Sequence, residues 1–475
     1  MNDTAYTSGP FHNLKNNFLY LGRLIKHRIY DFYEVNLTTK NARDATETIL
    51  LIVPSLFFMV IAVFISSLLL PKHSIVAFLL EFVVIVVPAV LNITILSGYV
   101  TNIVAITCFL LGIHLLVYVV YVCCKRLKNI RPSKRIVNPR KKDYITNCRA
   151  TINMISVIAI LAVDFDIFPS RYSKTHRTGF SLMDVGVGLY VFANAIVAPE
   201  VRGKKDSIKS SIKGSLILLI LGILRLVLTK VTHYKVSKIE YGEHWNFFIT
   251  LAFIKIFSSC ILYVIKVKYI FINATLITIA HEALIQYSFK HWVFDIHERK
   301  NLLDANKEGL VSIIGYVALY LYALYFAYMI KVTGKSFRVT NIKACMCTVF
   351  TFVMTIICNY NFEVSRRLAN AGYIFWVLFI GIFMLWLFYL AENGEKFLLQ
   401  NKMRKFVCSP FLYEAINYNG LIFFLVGNVV TGIINLVLRT RLVQSFVAVM
   451  LLMGYMFFNC SIVFVLYSIR WKLNF

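Results

Sequence analysis

From residue 49 to residue 469, long apolar runs alternate with short polar breaks, and most of the breaks are basic. A helix rises about 1.5 Å per residue, so crossing the roughly 30 Å hydrocarbon core of a bilayer takes about 20 residues. Measured against that length, the pattern predicts thirteen spans: 49–70, 75–97, 101–122, 150–164, 180–198, 214–229, 245–267, 269–289, 310–330, 343–359, 371–391, 418–438 and 443–469. The fourth and sixth are short, and the seventh and eighth are parted only by Lys266 and Lys268. The expected architecture is an all-α polytopic membrane protein with short loops. A polar N-terminal segment, 1–47, precedes a single multi-span domain, 48–475.

Composition agrees: 59% of the 475 residues are hydrophobic and 15% charged, and a mean hydropathy of +0.70 lies outside the range of soluble domains. A formal charge of +27 raises the question of nucleic acid. The basic residues sit in short loops between apolar runs, however, where they set orientation in a membrane. No nucleic-acid partner is expected. Loops after odd-numbered spans, with the tail, hold 28 Lys and Arg, against 20 on the other side. The positive-inside rule then places the loop from Lys125 to Arg149 and the tail with Arg470 and Lys472 in the cytosol, and the N-terminus in the lumen. The Asn36-Leu37-Thr38 glycosylation acceptor falls on the lumenal side. The first 47 residues are polar and mixed in charge, so no secretory leader is expected. Most cysteines lie inside apolar runs and none forms a metal-spaced pair, so no metal site is expected. Cys123-Cys124 at a span end is either a palmitoylation site or a pair of buried thiols.

Charge is densest beside membrane-grade sequence between Ile158 and Gly188. Asp164 follows Ala-Ile-Leu-Ala-Val without a break, at or just inside the end of a helix, where an ionised carboxylate costs up to about 2.5 to 3.5 kcal/mol at full depth. Phe168-Pro169 forces a turn. Lys174, ten residues on, is then close enough to meet Asp164, with Arg171 and Arg177 beside it. An ion pair tethering a loop to a helix end is one reading; a pair that does chemistry is the other. The other lumenal loops carry mixed polar clusters: Lys235 to Phe248, Asp304 to Gly309 and Val364 to Asn370. In span twelve Asn428, Thr431 and Asn435 share one helical face. Helix-to-helix hydrogen bonding, with Gly427 and Gly432 allowing close approach, accounts for them.

The segments AILAVDFDIFP, SLMDVGVG, EYGEHWNFFIT, ANKEG, VSRRLAN and NGLIFFLVGNVVTGIINL occur in this order between residues 159 and 436. Together they resemble the inositol acyltransferases of GPI-anchor biosynthesis, and the resemblance extends over roughly residues 75–470. It implies transfer of a fatty acyl group, typically palmitoyl from palmitoyl-CoA, to the inositol ring of glucosaminyl-phosphatidylinositol. It also implies an endoplasmic reticulum location, acyl-CoA as cosubstrate with no permanently bound cofactor, and Asp164 and Lys174 as catalytic candidates. The motifs supply the candidate substrate-binding set: Arg171, Glu240, Asn246, Asn306, Arg366, Arg367 and Asn428. Where the family commonly reads DFPIFPRRFAK, this chain has Asp166, Ser170, Tyr172 and Ser173, so a second acid stands two residues from Asp164.

Acylating a hydroxyl needs a base for its proton and donors for the oxyanion on the thioester carbon. No Gly-x-Ser-x-Gly elbow is present, so direct attack assisted by Asp164 is expected, with Lys174 orienting it or stabilising the oxyanion. His244 is an alternative base or an interfacial anchor beside Trp245. Arg366 and Arg367 are expected either to grip the lipid phosphate or to anchor a span end, and Lys307-Glu308 reads similarly. The rival class is a polytopic lipid or solute transporter without acyl-transfer chemistry, which also places charges at span ends. A membrane acyltransferase built on an intramembrane histidine, His114 or His281, is a third reading.

Overall fold

The computed structural model describes residues 43–63, 65, 74–126, 142–204, 207–232, 237–295, 299, 301–332, 336–399 and 409–473. The first 42 residues with their glycosylation acceptor, and most of the loop from Lys125 to Arg149, lie outside these. Among the described residues there is no strand. Thirteen helices among the described residues are long and apolar enough to cross a membrane: α1 Arg43–Val63, α2 Ile75–Ile93, α3 Ile95–Ile113, α4 Asp143–Ala162, α5 Leu182–Arg202, α6 Ile208–Val231 and α7 Phe247–Val264. They continue with α8 Val267–Phe294, α9 Lys307–Ile330, α10 Phe337–Phe362, α11 Ala371–Gly394, α12 Gly420–Val437 and α13 Ser445–Ser468.

The count is as expected, but some ends move, and each for a reason. α4 starts seven residues before the apolar run, because polar groups near its start find partners inside the bundle. The Tyr144 amide donates to Glu392 at 2.6 Å, and Arg149 donates to Asn417 at 2.8 Å. It stops at Ala162, so Asp164 lies beyond the helix, its amide donating to the Leu161 carbonyl. Several starts are set by side-chain caps. Ser181 accepts from the Asp184 amide and Asn246 from those of Phe248 and Ile249, each satisfying donors that have no intrahelical partner.

In lipid the hydrophobic effect does not drive helices together, so packing and buried polar contacts must. The hub is formed by α4, α5, α9 and α11, about 70% buried over their apolar windows, whereas α3, α6 and α12 are only 17–22% buried. α6 is held mainly by α7. At their crossing a side chain on Gly222 would run into Ile249, 2.6 Å away, and Asn246 donates to the Gly222 carbonyl at 2.8 Å. The buried Glu81 of α2 caps the short helix Phe411–Tyr418 by accepting from the amides of Phe411 and Leu412. A carboxylate at that depth is tolerated because two donors meet it.

Candidate active site

Three loops on one side of the bundle are stitched together. The α4–α5 loop joins the α10–α11 loop where the Gly179 amide donates to Val364 at 2.9 Å, Ser365 to the Arg177 carbonyl at 2.7 Å, and Arg367 to the His176 carbonyl at 3.1 Å. Asn370 closes that second loop, accepting from the Ser365 and Tyr373 amides and donating to Phe362 and Glu363. The α6–α7 loop lies on the start of α9: the Glu243 amide donates to Ala305, the Gly309 amide to Tyr241, and the His244 amide to the Asn306 side chain. Gly242 makes this possible, with φ +120 and Ala305 and Asn306 so near that no Cβ fits.

Beneath the stitched loops is a cavity of about 760 Å³, bounded by α4, α5, α6, α7 and α12, within the size range of small-molecule sites. Its walls are mainly aliphatic and aromatic. Leu224 and Leu228 of α6 and Val429, Ile433 and Leu436 of α12 line it while remaining 49–56% exposed. The cavity therefore opens between the two least buried walls, onto the surface that faces lipid. Asp164, Lys174, Glu240, Arg366 and Arg225 line it and feel one another's charges, forming its polar end, while Asn428 lines it about two turns of α12 from the Asn435 that meets Asp164.

Asp164 and Lys174 face the same cavity but do not pair. Lys174 Nζ donates to both Glu240 oxygens at 2.7 Å. A lysine has three N–H donors, and the third is not taken by any described residue. Asp164 instead accepts from Asn435 Nδ2 of α12 at 2.7 Å. Burial raises its pKa above the usual carboxylate range, although the Asn435 bond and the charges of Lys174 and Arg441 work the other way. For Glu240 burial pushes upward too, but Lys174 and two guanidiniums outweigh it and hold the carboxyl low. Burial and the charge of Arg366 make Lys174 less basic than a free lysine, against the pull of Glu240. The site thus sets an acid with raised pKa beside a half-buried ammonium, in an apolar cavity.

The second acid, Asp166, is exposed and does not take Lys174. His244 is exposed and its ring is not among the cavity lining. Arg171 points the other way, pairing with Glu47 of α1 at 2.9 Å and donating to the Ser97 carbonyl. Asn246 and Asn306 spend their amides on the cap, the Gly222 carbonyl, the His244 amide and the Leu302 carbonyl. Arg366 reaches the cavity but is locked to Asp184 at 2.8 Å, both side chains only 3–4% exposed. Arg367 shares Glu308 with Arg299, at 3.0 and 2.7 Å. Lys307 donates to the Trp292 and Asp295 carbonyls. His281 is buried against the Leu368 carbonyl at 2.9 Å, away from the cavity.

Two residues, Asp184 and Arg225, escape the sequence reading, and a third, Asn435, has another role than the helix packing expected of it. Asp184, inside SLMDVGVG, binds Arg366 and accepts from the Thr175 amide and hydroxyl, so it fixes the residue next to Lys174. Asn435 shares a face with Asn428 and Thr431, but that face is divided. Gly427 packs against α13 through Tyr455, as expected, Thr431 donates to Tyr455 while also lining the cavity, and Gly432 and Asn428 line the cavity while Asn435 meets Asp164. Arg225 stands inside a span counted as apolar, and an intramembrane arginine is itself a signal.

The fold and site define a polytopic membrane protein whose buried charges converge on a lipid-facing cavity. The sequence model described as GWT1 matches residues 34–466, and the chain belongs to this family. It is 34% identical over 351 residues to GPI-anchored wall transfer protein 1 of Schizosaccharomyces pombe, covering 71% of this chain and 74% of that one. It is 31% identical over 441 residues to the human glucosaminyl-phosphatidylinositol-acyltransferase PIGW, covering 82% and 87%. The corresponding mouse protein is also 31% identical, with the same coverage.

Proposed function

We propose that the protein transfers a fatty acyl group, palmitoyl in the first instance, from acyl-CoA to an inositol hydroxyl of glucosaminyl-phosphatidylinositol in GPI-anchor biosynthesis. Family membership and the names of its relatives support this reading. The observation that carries it is an acid and an ammonium, Asp164 and Lys174, on one apolar cavity that opens to lipid. The hydroxyl attacks the thioester carbon as Asp164 takes its proton. A C–O bond forms, the C–S bond breaks, and the thiolate of CoA leaves with a proton. The free N–H of Lys174 stabilises the oxyanion on the thioester carbon, while Glu240 fixes the ammonium in place. Asn428 and the apolar walls contact substrate. Arg171, Asn246, Asn306 and Arg367 hold the loops, and the base role goes to Asp164 in preference to His244.

The reading also places the enzyme in the endoplasmic reticulum membrane, as a single domain over residues 48–475, with the site on the lumenal side and the tail in the cytosol. Its support is the charge difference between the two sets of loops. A tag in the loop from Lys125 to Arg149 is then cleaved by protease in sealed microsomes, and one near Arg171 is protected; the reverse pattern overturns the orientation.

Purified protein given labelled palmitoyl-CoA and glucosaminyl-phosphatidylinositol is expected to yield an acylated lipid resistant to phosphatidylinositol-specific phospholipase C, because the hydroxyl that enzyme needs for cyclisation is blocked. Lipid movement without a labelled acylated product would establish the transporter instead.

A further inference from the structure

A lipid acceptor of this kind carries a phosphodiester, and an anion entering an apolar cavity requires a cation that is not already neutralised. The two arginines that sequence alone suggests are both engaged: Arg366 by Asp184 and Arg367 by Glu308. Lys174 is shared with Glu240. Arg225 on α6 is different. It lines the cavity, it is half-buried, and its guanidinium makes no hydrogen bond or ion pair among the described residues. Its charge is felt at Lys174, Glu240 and Tyr241, which places it at the polar end beside the proposed chemistry.

Its position along the helix favours a lipid over the other phosphate-bearing substrate. Arg225 is six residues from the end of α6 at Val231, about 9 Å below it, and an arginine stem can carry its head several ångströms toward the polar boundary. On either side of it along the same wall stand Leu224 and Leu228, at the opening to lipid. A lipid whose tails leave through that opening has its phosphate at the level of this guanidinium. The phosphates of CoA carry several charges, for which a single free cation is a poor match. The α6–α7 crossing at Gly222 and Asn246, one turn away, fixes Arg225 in register.

We propose that Arg225 binds the phosphodiester of the lipid acceptor by charge-assisted, two-pronged hydrogen bonds. The proposal rests on the function proposed above for the identity of the lipid, but its test does not require turnover. Full-length protein in detergent is titrated with a fluorescent short-chain phosphatidylinositol, with the matching uncharged diacylglycerol, and with palmitoyl-CoA. Arg225→Leu is expected to weaken phosphatidylinositol binding by about tenfold or more, the loss typical of a hydrogen bond to a charged group. Binding of diacylglycerol and of palmitoyl-CoA should be unchanged. Arg225→Gln, which keeps length and polarity, should lose as much, Arg225→Lys should lose less, and Lys230→Leu, an exposed cation on the same helix outside the cavity, should match wild type. In the acyltransfer assay the effect should appear in KM for the lipid rather than in kcat. Unchanged phosphatidylinositol affinity in folded Arg225→Leu or Arg225→Gln overturns the proposal. A loss confined to palmitoyl-CoA overturns it too, by assigning the phosphate to CoA. If wild type binds phosphatidylinositol through Arg225 yet forms no acylated product, the phosphate site stands and the acyltransfer reading falls.

Discussion

Two groups of charges lie on the same side of this molecule and differ in what satisfies them. In the loop collar, the Asp184 carboxylate takes Arg366 and the Thr175 amide and hydroxyl, while Glu308 takes both Arg299 and Arg367. The buried carboxylates there, Asp184 and Glu308, are both met by guanidiniums of the protein. In the cavity, Asp164 has one neutral hydrogen bond, Lys174 keeps an N–H to spare, and Arg225 has no ion-pair partner among the described residues. Desolvating a charge is costly, so a closed network makes sense as scaffolding and an incomplete one as a place that expects a ligand. The closed set supports the open one: Asp184 anchors Thr175, and the collar seats the loop that brings Glu240 to Lys174.

The largest effect that could break this contrast is catalytic. Asp164→Asn keeps shape and hydrogen-bonding size but cannot act as a base, so turnover should fall by about two to four orders of magnitude with folded yield near normal. Asp166→Asn, an exposed acid two residues on, should leave the rate close to wild type. Rate per folded protein decides it, and equal losses in the two variants would remove the base assignment.

Next in size is stability. Removing one partner of the buried Asp184–Arg366 pair should cost about 3 to 5 kcal/mol. Asp184→Leu or Arg366→Leu alone should therefore lower the unfolding temperature in detergent sharply, and the double substitution should recover part of the loss. Lys174→Ala combined with Asp164→Asn should show no such recovery, because the two do not pair. Additive losses at Asp184 and Arg366 would erase the distinction between collar and cavity.

The smallest effect sharpens the role of α12. The Asn435 bond stabilises the ionised form of Asp164 against the upward push of burial. Asn435→Leu should therefore raise that pKa further and carry the acidic limb of the rate profile to higher pH. On that limb, below the Asp164 pKa, the rate should drop by up to about tenfold, the scale of one hydrogen bond to a charged group, and recover as the pH rises. A uniform loss at all pH values would make Asn435 a packing residue only.

Much of this was legible in the chain. Spans are readable because a bilayer demands length and apolarity from each helix separately, and Asp164 stands out because it ends such a run. The partner of Lys174 is not readable. Glu240 lies 66 residues away and arrives through a loop seated on the start of α9, a contact that no local periodicity encodes. Arg366 and Arg367 look like free cations in a short basic loop, because their carboxylates come from α5 and α9. Arg225 is visible as an arginine within an apolar run, but its significance depends on knowing which other cations are already occupied.

The opening between α6 and α12 fixes the concentration scale on which the protein works. A site entered from within the bilayer meets its acceptor by diffusion in two dimensions, so occupancy follows the mole fraction of that lipid among its neighbours rather than its molarity in the tube. Added carrier lipid then acts as a diluent even when the amounts of protein and substrate stay fixed.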